Sequence, residues 1–244
     1  MKQQEYETSI RKRVIITGGT KGIGRALVEK FAEEGFDLAI CSRNEQELKD
    51  CKAAVQAANP GCEMLIKVTD VSKSDEVGLF AQYVLSHWPS FDVLINNAGV
   101  YIQGNILDAP EGSLEQMVDT NLYSAYWLTR ALLPTLLQQK NGHVFNMCSI
   151  ASDIVLPGSS TYCVSKFALL GFSKALREEL KPHGIRVTTV KPGATWSNAW
   201  KGITVPEERL MKASDIAAAI WAGYILSDQA VLEELTLRPQ LGDL

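Results

Sequence analysis

Tyr162 and Lys166 stand four positions apart, and Ser149 lies a short way upstream of them. Four apart on a helix means one shared face, and an ammonium beside a phenol favours the phenolate. Ser149 follows the strand-like run His143-Val144-Phe145-Asn146-Met147, so a loop can return the chain and set its hydroxyl beside the phenol. One acid and one hydroxyl donor then face a common point, as proton transfer to a polar bond requires. A tyrosine and a lysine at this spacing are by themselves ordinary on a solvated helix face. An independent feature gives the pair its meaning: the turn Thr17-Gly18-Gly19-Thr20-Lys21-Gly22-Ile23-Gly24, directly after the apolar run Val14-Ile15-Ile16.

Gly18, Gly22 and Gly24 at the entry to a helix suit a tight turn, close approach of backbone to a pyrophosphate, and helix-sheet packing, with the helix N-terminus facing the anion. Thr20, Lys21 and Ile23 belong to the same cofactor-binding turn. An NAD site of this kind carries an acidic residue about 20 positions on, at the end of the second strand. Here that place reads Cys41-Ser42-Arg43. A guanidinium pairs with a 2′-phosphate and Lys21 adds charge, so Ser42 and Arg43 point to NADP(H) in preference to NAD(H). Asp70, followed by Val71, is placed either to hold the adenine amino group or to cap the next helix. In Asn96-Asn97-Ala98-Gly99 the asparagines either bind ribose or tie neighbouring strands.

The elements that must position these groups alternate along the chain. Strands are expected at 13–17, 36–41, 63–68, 93–96, 143–147, 185–191 and 231–237. The helices expected between them cover 23–34, 44–58, 74–87, 113–139, the stretch around Tyr162, and 214–226. Asn44 is a natural cap, and Asn59-Pro60-Gly61 a natural stop. This alternation calls for a single-domain α/β fold, a Rossmann-like, doubly wound, seven-stranded parallel sheet with helices on both faces. Ligands of such a sheet sit beyond the carboxyl ends of the strands, where strand order reverses. The glycine turn, Ser42-Arg43, Asp70-Val71, Asn97-Ala98-Gly99, Ser149 and Pro192-Gly193 all follow expected strands and would line one edge.

A chain of 244 residues with 46% hydrophobic content supports a sizeable core, expected over 13–244 after a flexible tail at 1–12. The net charge of −4 and the absence of a basic stripe give no reason to expect a nucleic-acid partner. The polar start lacks an apolar signal region, and the longest apolar run, 216–226, falls short of the ~20 residues of a membrane helix, so a soluble cytoplasmic protein is expected. Cys41, Cys51, Cys62, Cys148 and Cys163 form no C-x-x-C pair and have no histidines nearby, which indicates neither a disulfide framework nor a metal site. Cys148 and Cys163 adjoin Ser149 and Tyr162, so thiol modification is expected to block activity. His87, His143 and His183 fall near element ends and are expected to be exposed.

The ordered set T-G-x-x-x-G-x-G at 17–24, N-N-A-G at 96–99, Asn121, Ser149, Y-x-x-x-K at 162–166 and P-G at 192–193 resembles the short-chain dehydrogenase/reductase family in its single-domain branch. The resemblance covers nearly the whole chain after Arg13. It implies a nicotinamide cofactor and a homodimer or homotetramer packed through the long helices. It also implies roles: Tyr162 as general acid in reduction and base in oxidation, and Lys166 on the nicotinamide ribose and lowering the tyrosine pKa. Ser149 would hydrogen-bond the substrate carbonyl, and Asn121 would hold a water in a relay to Lys166. Thr195 and Ser197, after Pro192-Gly193, would hold the nicotinamide amide; relatives usually carry threonine where this chain has Ser197. The tail Glu233-Glu234-Leu235-Thr236-Leu237-Arg238-Pro239 and Pro192-Gly193-Ala194 with Trp200 resemble bacterial sepiapterin-reductase-like members.

A lid is expected over 194–212, where Trp196 and Trp200, with Ile154 in the loop before Tyr162, would wall an apolar or aromatic carbonyl compound or alcohol. The tryptophans equally suit packing of the lid onto the body or onto a neighbouring subunit. The expected activity is hydride transfer between NADP(H) and a ketone, aldehyde or secondary alcohol, with sepiapterin reductase and 3-oxoacyl-thioester reductase as narrower alternatives. Lys201, Arg209 and Lys212 make a weak basic patch for an acyl-carrier partner. A serine hydrolase is disfavoured, since Ser149 lacks the glycines of a nucleophile elbow. A non-catalytic NADP-binding sensor would not need the four groups Asn121, Ser149, Tyr162 and Lys166 that the chain retains.

Overall fold

The computed structural model describes residues 11–196 and 205–243. Its regular elements are β1 (Arg13–Thr17), α1 (Gly22–Glu33), β2 (Asp37–Ser42), α2 (Glu45–Ala58), β3 (Met64–Val68), α3 (Ser74–His87) and β4 (Val93–Asn96). They continue with α4 (Ser113–Val118), α5 (Ser124–Gln139), β5 (Gly142–Met147), α6 (Ser160–Leu180), β6 (Ile185–Pro192), α7 (Ala213–Tyr224) and β7 (Glu234–Leu237). The seven strands form one sheet in the order β3-β2-β1-β4-β5-β6-β7, every neighbouring pair parallel.

Burial explains the strand sequences. β1, β4 and β5 lie inside the sheet with both faces covered, so Val14, Ile15, Ile16, Val93, Leu94, Ile95, Val144 and Phe145 are all fully buried, without a polar alternation. On one face α1, α2 and α7 pack through Leu27, Phe31, Leu48, Val55, Ile216 and Ile220. On the other, α3, α5 and α6 pack through Phe80, Val84, Leu128, Leu132 and Leu176. Strand order reverses between β1 and β4, so their carboxyl ends open the crevice where such sheets bind ligands.

Three sequence expectations change. The helical stretch 113–139 is interrupted by a π turn at Asp119–Tyr123. Hydrophobic periodicity does not reveal a single inserted residue, and such turns cluster at functional sites. The last strand begins at Glu234 rather than at 231, because upstream the Leu232 carbonyl is taken by the Thr188 hydroxyl (2.6 Å). His143 is buried, not exposed: it points into the core from β5, stacks on Phe145 and meets Thr188 Oγ1 at 2.7 Å. Burial, with Arg186 nearby, holds its pKa well below the ordinary histidine value, so it is neutral and structural. Of the expected N-terminal tail, Arg11 pairs with Asp37 and Lys12 donates to the Tyr224 hydroxyl; residues 1–10 lie outside the described residues. Among the described residues no helix is long and apolar enough to cross a membrane.

Candidate active site

Ser149 leaves β5 in an extended conformation and starts the 3₁₀ turn Ile150–Ser152. The turn is locked reciprocally: Ala151 N–H donates to Ser149 Oγ (3.1 Å) and Ser149 N–H donates to Ser152 Oγ (3.2 Å). Tyr162 sits in the first turn of α6, close enough to Ser149 for that hydroxyl to favour ionisation of its phenol. Lys166, one turn on, is buried and donates to the Met147 carbonyl at 2.9 Å, and its Nζ lies 5.8 Å from the centre of the Tyr162 ring. The structure therefore brings the three groups together around the end of β5.

Their ionisation differs from the expectation for a bare tyrosine-lysine pair. Burial pushes the Tyr162 phenol up to about 12, only partly offset by the nearby Ser149 hydroxyl. Burial brings the Lys166 ammonium down to about 8, with Cys148 acting weakly the other way. Desolvation is the largest cause of both shifts.

Asn121 joins them from the π turn. Its Oδ1 accepts from Val100 N–H (2.7 Å), and its Nδ2 donates to the Val100 carbonyl (3.0 Å) and to Ser165 Oγ (2.9 Å). The amide is occupied by protein groups on three sides, so it clamps the loop after β4 to α6. Gly99 lies beside both: a Cβ there would stand 3.2 Å from Asn121 Oδ1 and 3.5 Å from Lys166 Nζ.

A groove of about 1030 Å³ opens next to this cluster, at the carboxyl ends of β1 to β4. It is lined by every expected binding residue of that region: Gly18, Thr20 to Gly24, Ser42, Arg43, Asp70, Val71, Asn97, Ala98 and Gly99. Its backbone suits a dinucleotide. Gly18 and Gly22 have φ of +67° and +51°, which favours glycine. A Cβ on Gly24 would strike Gly18 O at 2.1 Å. The first turn of α1 has no side-chain cap and no acidic residue, so its N–H groups face the groove unclaimed by carboxylates.

Three residues with two roles open to them, Asn96, Asn97 and Asp70, make defined contacts within the protein. Asn96 and Asn97 tie strands. Asn96 Nδ2 reaches Thr129 Oγ1 (3.0 Å) and Asn146 Oδ1 (2.8 Å), and Asn97 Nδ2 donates to the Thr17 carbonyl (2.9 Å). Asp70 does not cap α3, whose N-cap is Lys73; its carboxylate accepts from Ser72 N–H and Oγ on the groove wall.

Past β6, Thr195 Oγ1 donates to the Gly193 carbonyl (3.0 Å), and Gly193 N–H donates to Leu237 O (2.8 Å). Trp196 lines a second cavity of about 760 Å³ with Leu210, Met211 and the C-terminal tail, apart from the glycine groove. Ile154 is half-exposed in the loop after Ser149. Ser197 and Trp200 lie outside the described residues. Cys148 and Cys163 are buried, and burial pushes the Cys148 thiol up to about 11. Burial of both thiols argues against the expected thiol sensitivity, because a reagent does not reach them in the folded chain.

Two site residues escaped the sequence. Tyr101 packs edge-on against Tyr162, ring centres 5.0 Å apart at 82°, with its hydroxyl 3.0 Å from Ser159 Oγ. Glu47 reaches the groove from α2 and pairs with Lys21 at 2.5 Å. Both contacts are tertiary, and no local motif announces them.

The profile of the short chain dehydrogenase family matches residues 12–207. The chain belongs to the short-chain dehydrogenase family. Among curated members it is 31% identical over 239 residues to a sepiapterin reductase of Chlorobaculum tepidum, covering 95% of this chain and 97% of that one. It is 31% identical over 231 residues to a 3-oxoacyl-acyl-carrier-protein reductase of Chlamydia muridarum, covering 91% and 92%. Among solved structures, a metagenomic short-chain oxidoreductase in complex with NADP superposes with a TM-score of 0.82 at 29% identity, covering 94% of this chain and 97% of that one. Membership in the short-chain dehydrogenase family makes the chain an oxidoreductase with the Rossmann-like fold described above.

Proposed function

We propose that this chain is an NADP(H)-dependent reductase of ketones or aldehydes, running in reverse on secondary alcohols. The observation that carries the reading is the convergence of Ser149, Tyr162 and Lys166 beside a groove whose backbone accepts a dinucleotide. The groove residues Gly18, Thr20 to Gly24 and Asn97 to Gly99, together with Lys166, Pro192, Gly193 and Thr195, would hold the cofactor, which supplies the hydride when bound. Arg43 favours the 2′-phosphorylated form, in line with the NADP complex of the metagenomic relative.

In reduction the Ser149 hydroxyl donates to the substrate carbonyl oxygen, and the Tyr162 phenol, protonated throughout the neutral range, gives its proton to that oxygen as alkoxide character develops. Lys166, cationic below about 8, sits within reach of the phenol and stabilises the phenolate left behind. The Asn121 amide is committed to Val100 and Ser165, so a relay water would meet the π-turn backbone rather than this side chain. Tyr101 gives the site an aromatic wall, and with the apolar side chain of Ile154 this suits apolar or aromatic carbonyl compounds. Tyr126 and Phe167 stand exposed on α5 and α6 and suit a homodimer or homotetramer packed through these helices.

The test is NADPH consumption by purified protein over sepiapterin, aromatic ketones and acetoacetyl thioesters, with Tyr162→Phe as control. Turnover of one class, reduced by about 10²-fold or more in the variant, supports the reading and names the substrate. Tight NADPH binding with no turnover across the panel would favour a binding protein.

A further inference from the structure

The groove wall where β2 ends and α2 begins carries three cations and two carboxylates: Lys21, Arg43, Lys49, Glu45 and Glu47. Lys49 is held by Glu45 on its own helix at 2.7 Å, and Lys21 is held by Glu47 at 2.5 Å. Arg43 has no ion-pair partner among the described residues; Asp70, across the groove, feels its charge. The Lys21 contact is not an along-helix pair of neighbours. Glu47 occupies the first turn of α2, its N–H donating to the capping Asn44 Oδ1 (3.1 Å), and its carboxylate turns across to the glycine turn. There Oε1 meets Lys21 Nζ and Oε2 accepts from Thr20 Oγ1 at 3.2 Å. Thr20 Oγ1 is also 3.4 Å from Ser42 Oγ. One carboxylate thus spans the two segments that flank the adenosine ribose in the dinucleotide reading above, on which this inference rests.

We propose that Glu47 is a cofactor-selectivity residue: it holds Lys21 and Thr20 and weakens the preference for a 2′-phosphorylated dinucleotide that Arg43 and Lys21 would otherwise impose. A 2′-phosphate entering beside Arg43 must take Lys21 from Glu47 and then faces that carboxylate, like charge against like. A ribose without the phosphate meets no such repulsion, and its hydroxyl finds an acceptor. Lys21 is half-exposed, and exposed ion pairs are weak. The exchange is therefore permitted, and the preference is lowered rather than reversed.

The test compares adenosine 2′,5′-bisphosphate with adenosine 5′-monophosphate, which differ only in the 2′-phosphate, by calorimetric titration of the wild type and Glu47→Gln. Glutamine keeps the length and an acceptor for Thr20 and removes the charge. The ratio of the two affinities should rise at least about fivefold in the variant, and Glu47→Lys should move it further the same way. An unchanged ratio overturns the proposal, and a falling one places Glu47 among the groups that bind the phosphate. The wild-type ratio alone reports on the NADP reading. A wild-type ratio near one with a rise in Glu47→Gln would sink that reading and keep this one. A high wild-type ratio that Glu47→Gln leaves in place would do the reverse. Thermal unfolding of each variant confirms that the fold is intact.

Discussion

Burial moves the two ionisable groups of the candidate site in opposite directions, Tyr162 up to about 12 and Lys166 down to about 8. The phenol therefore keeps its proton at neutral pH and is ready to donate it, while the ammonium is the group that titrates near the working range. The sign follows: what depends on the Lys166 charge is present below about 8 and is lost as pH rises through it. The kcat/KM for reduction should be level near neutrality and fall along an alkaline limb centred near that value. Lys166→Arg, whose guanidinium does not deprotonate, should flatten the limb even if its plateau is lower; a limb that survives the substitution belongs to another group. Alkylation offers a second check at this scale. Iodoacetamide should label Cys148 and Cys163 of the folded protein only on the timescale of unfolding, read by mass spectrometry, and leave activity intact meanwhile. Adjacency in sequence suggested the opposite for these thiols, because burial is a property of packing. Tyr162 and Lys166 were legible because an i,i+4 spacing is local. Tyr101 and Glu47 were not, since a ring 61 positions before Tyr162 reaches it only through the fold.

Glycines separate geometry from mere flexibility at the level of elements. In α1, Gly24 packs so closely on the glycine turn that an alanine Cβ would stand 2.1 Å from Gly18 O and 2.6 Å from Asn97 Nδ2. Gly24→Ala must shift the turn, at a cost of about 1–3 kcal/mol by analogy with overpacked cores, and should weaken dinucleotide binding at least about tenfold. Gly78, inside α3, has nothing within 4 Å of its missing Cβ. Gly78→Ala should raise stability by about 0.5–1 kcal/mol and leave binding unchanged; denaturant titration and calorimetry read both variants. A glycine-turn effect equal to that of Gly78 would remove the close-approach argument. The sequence made the start of α1 and the cap of α2 readable, because punctuating residues carry them. It did not reveal the π turn at Asp119–Tyr123, which sets Asn121 against Val100 and Ser165, tertiary contacts without a local signal.

Across the whole molecule, one buried cation joins parts of the chain that are far apart in sequence. Lys191, near the end of β6, reaches Asp153 at 2.6 Å and Glu234 at 2.5 Å. Asp153 directly follows the turn that fixes Ser149, and Glu234 begins β7, where Lys174 of α6 also pairs with it. The loop of the candidate site, the edge strand and α6 thus share a charge cluster. Burial works to lower the Lys191 pKa, but its hydrogen bonds to Asp153 and Glu234 and their charges outweigh it, and the net shift is upward. Glu234 is held below its ordinary value, first by Lys191 and then by Lys174. Stability from the raised lysine is full below 10.5 and lost as pH rises through its folded value, while that from the lowered carboxylate is full above 4.5 and lost as pH falls through its folded value. Lys191→Met should therefore cost stability at neutral pH, and the gap from wild type should close toward acid. Breaking a buried pair costs about 3–5 kcal/mol, but both carboxylates are more than a third exposed and can be resolvated, so about 1–2 kcal/mol is expected after screening. That is a fall in Tm of roughly 2–8 °C for a chain of this size, measured by calorimetry across pH. If the cluster also holds the Ser149 loop in register, Lys191→Met should lower kcat more than it raises KM. Lys191→Arg, which keeps the charge, should restore most of it. A variant with wild-type kcat and a lower Tm would confine the cluster to stability.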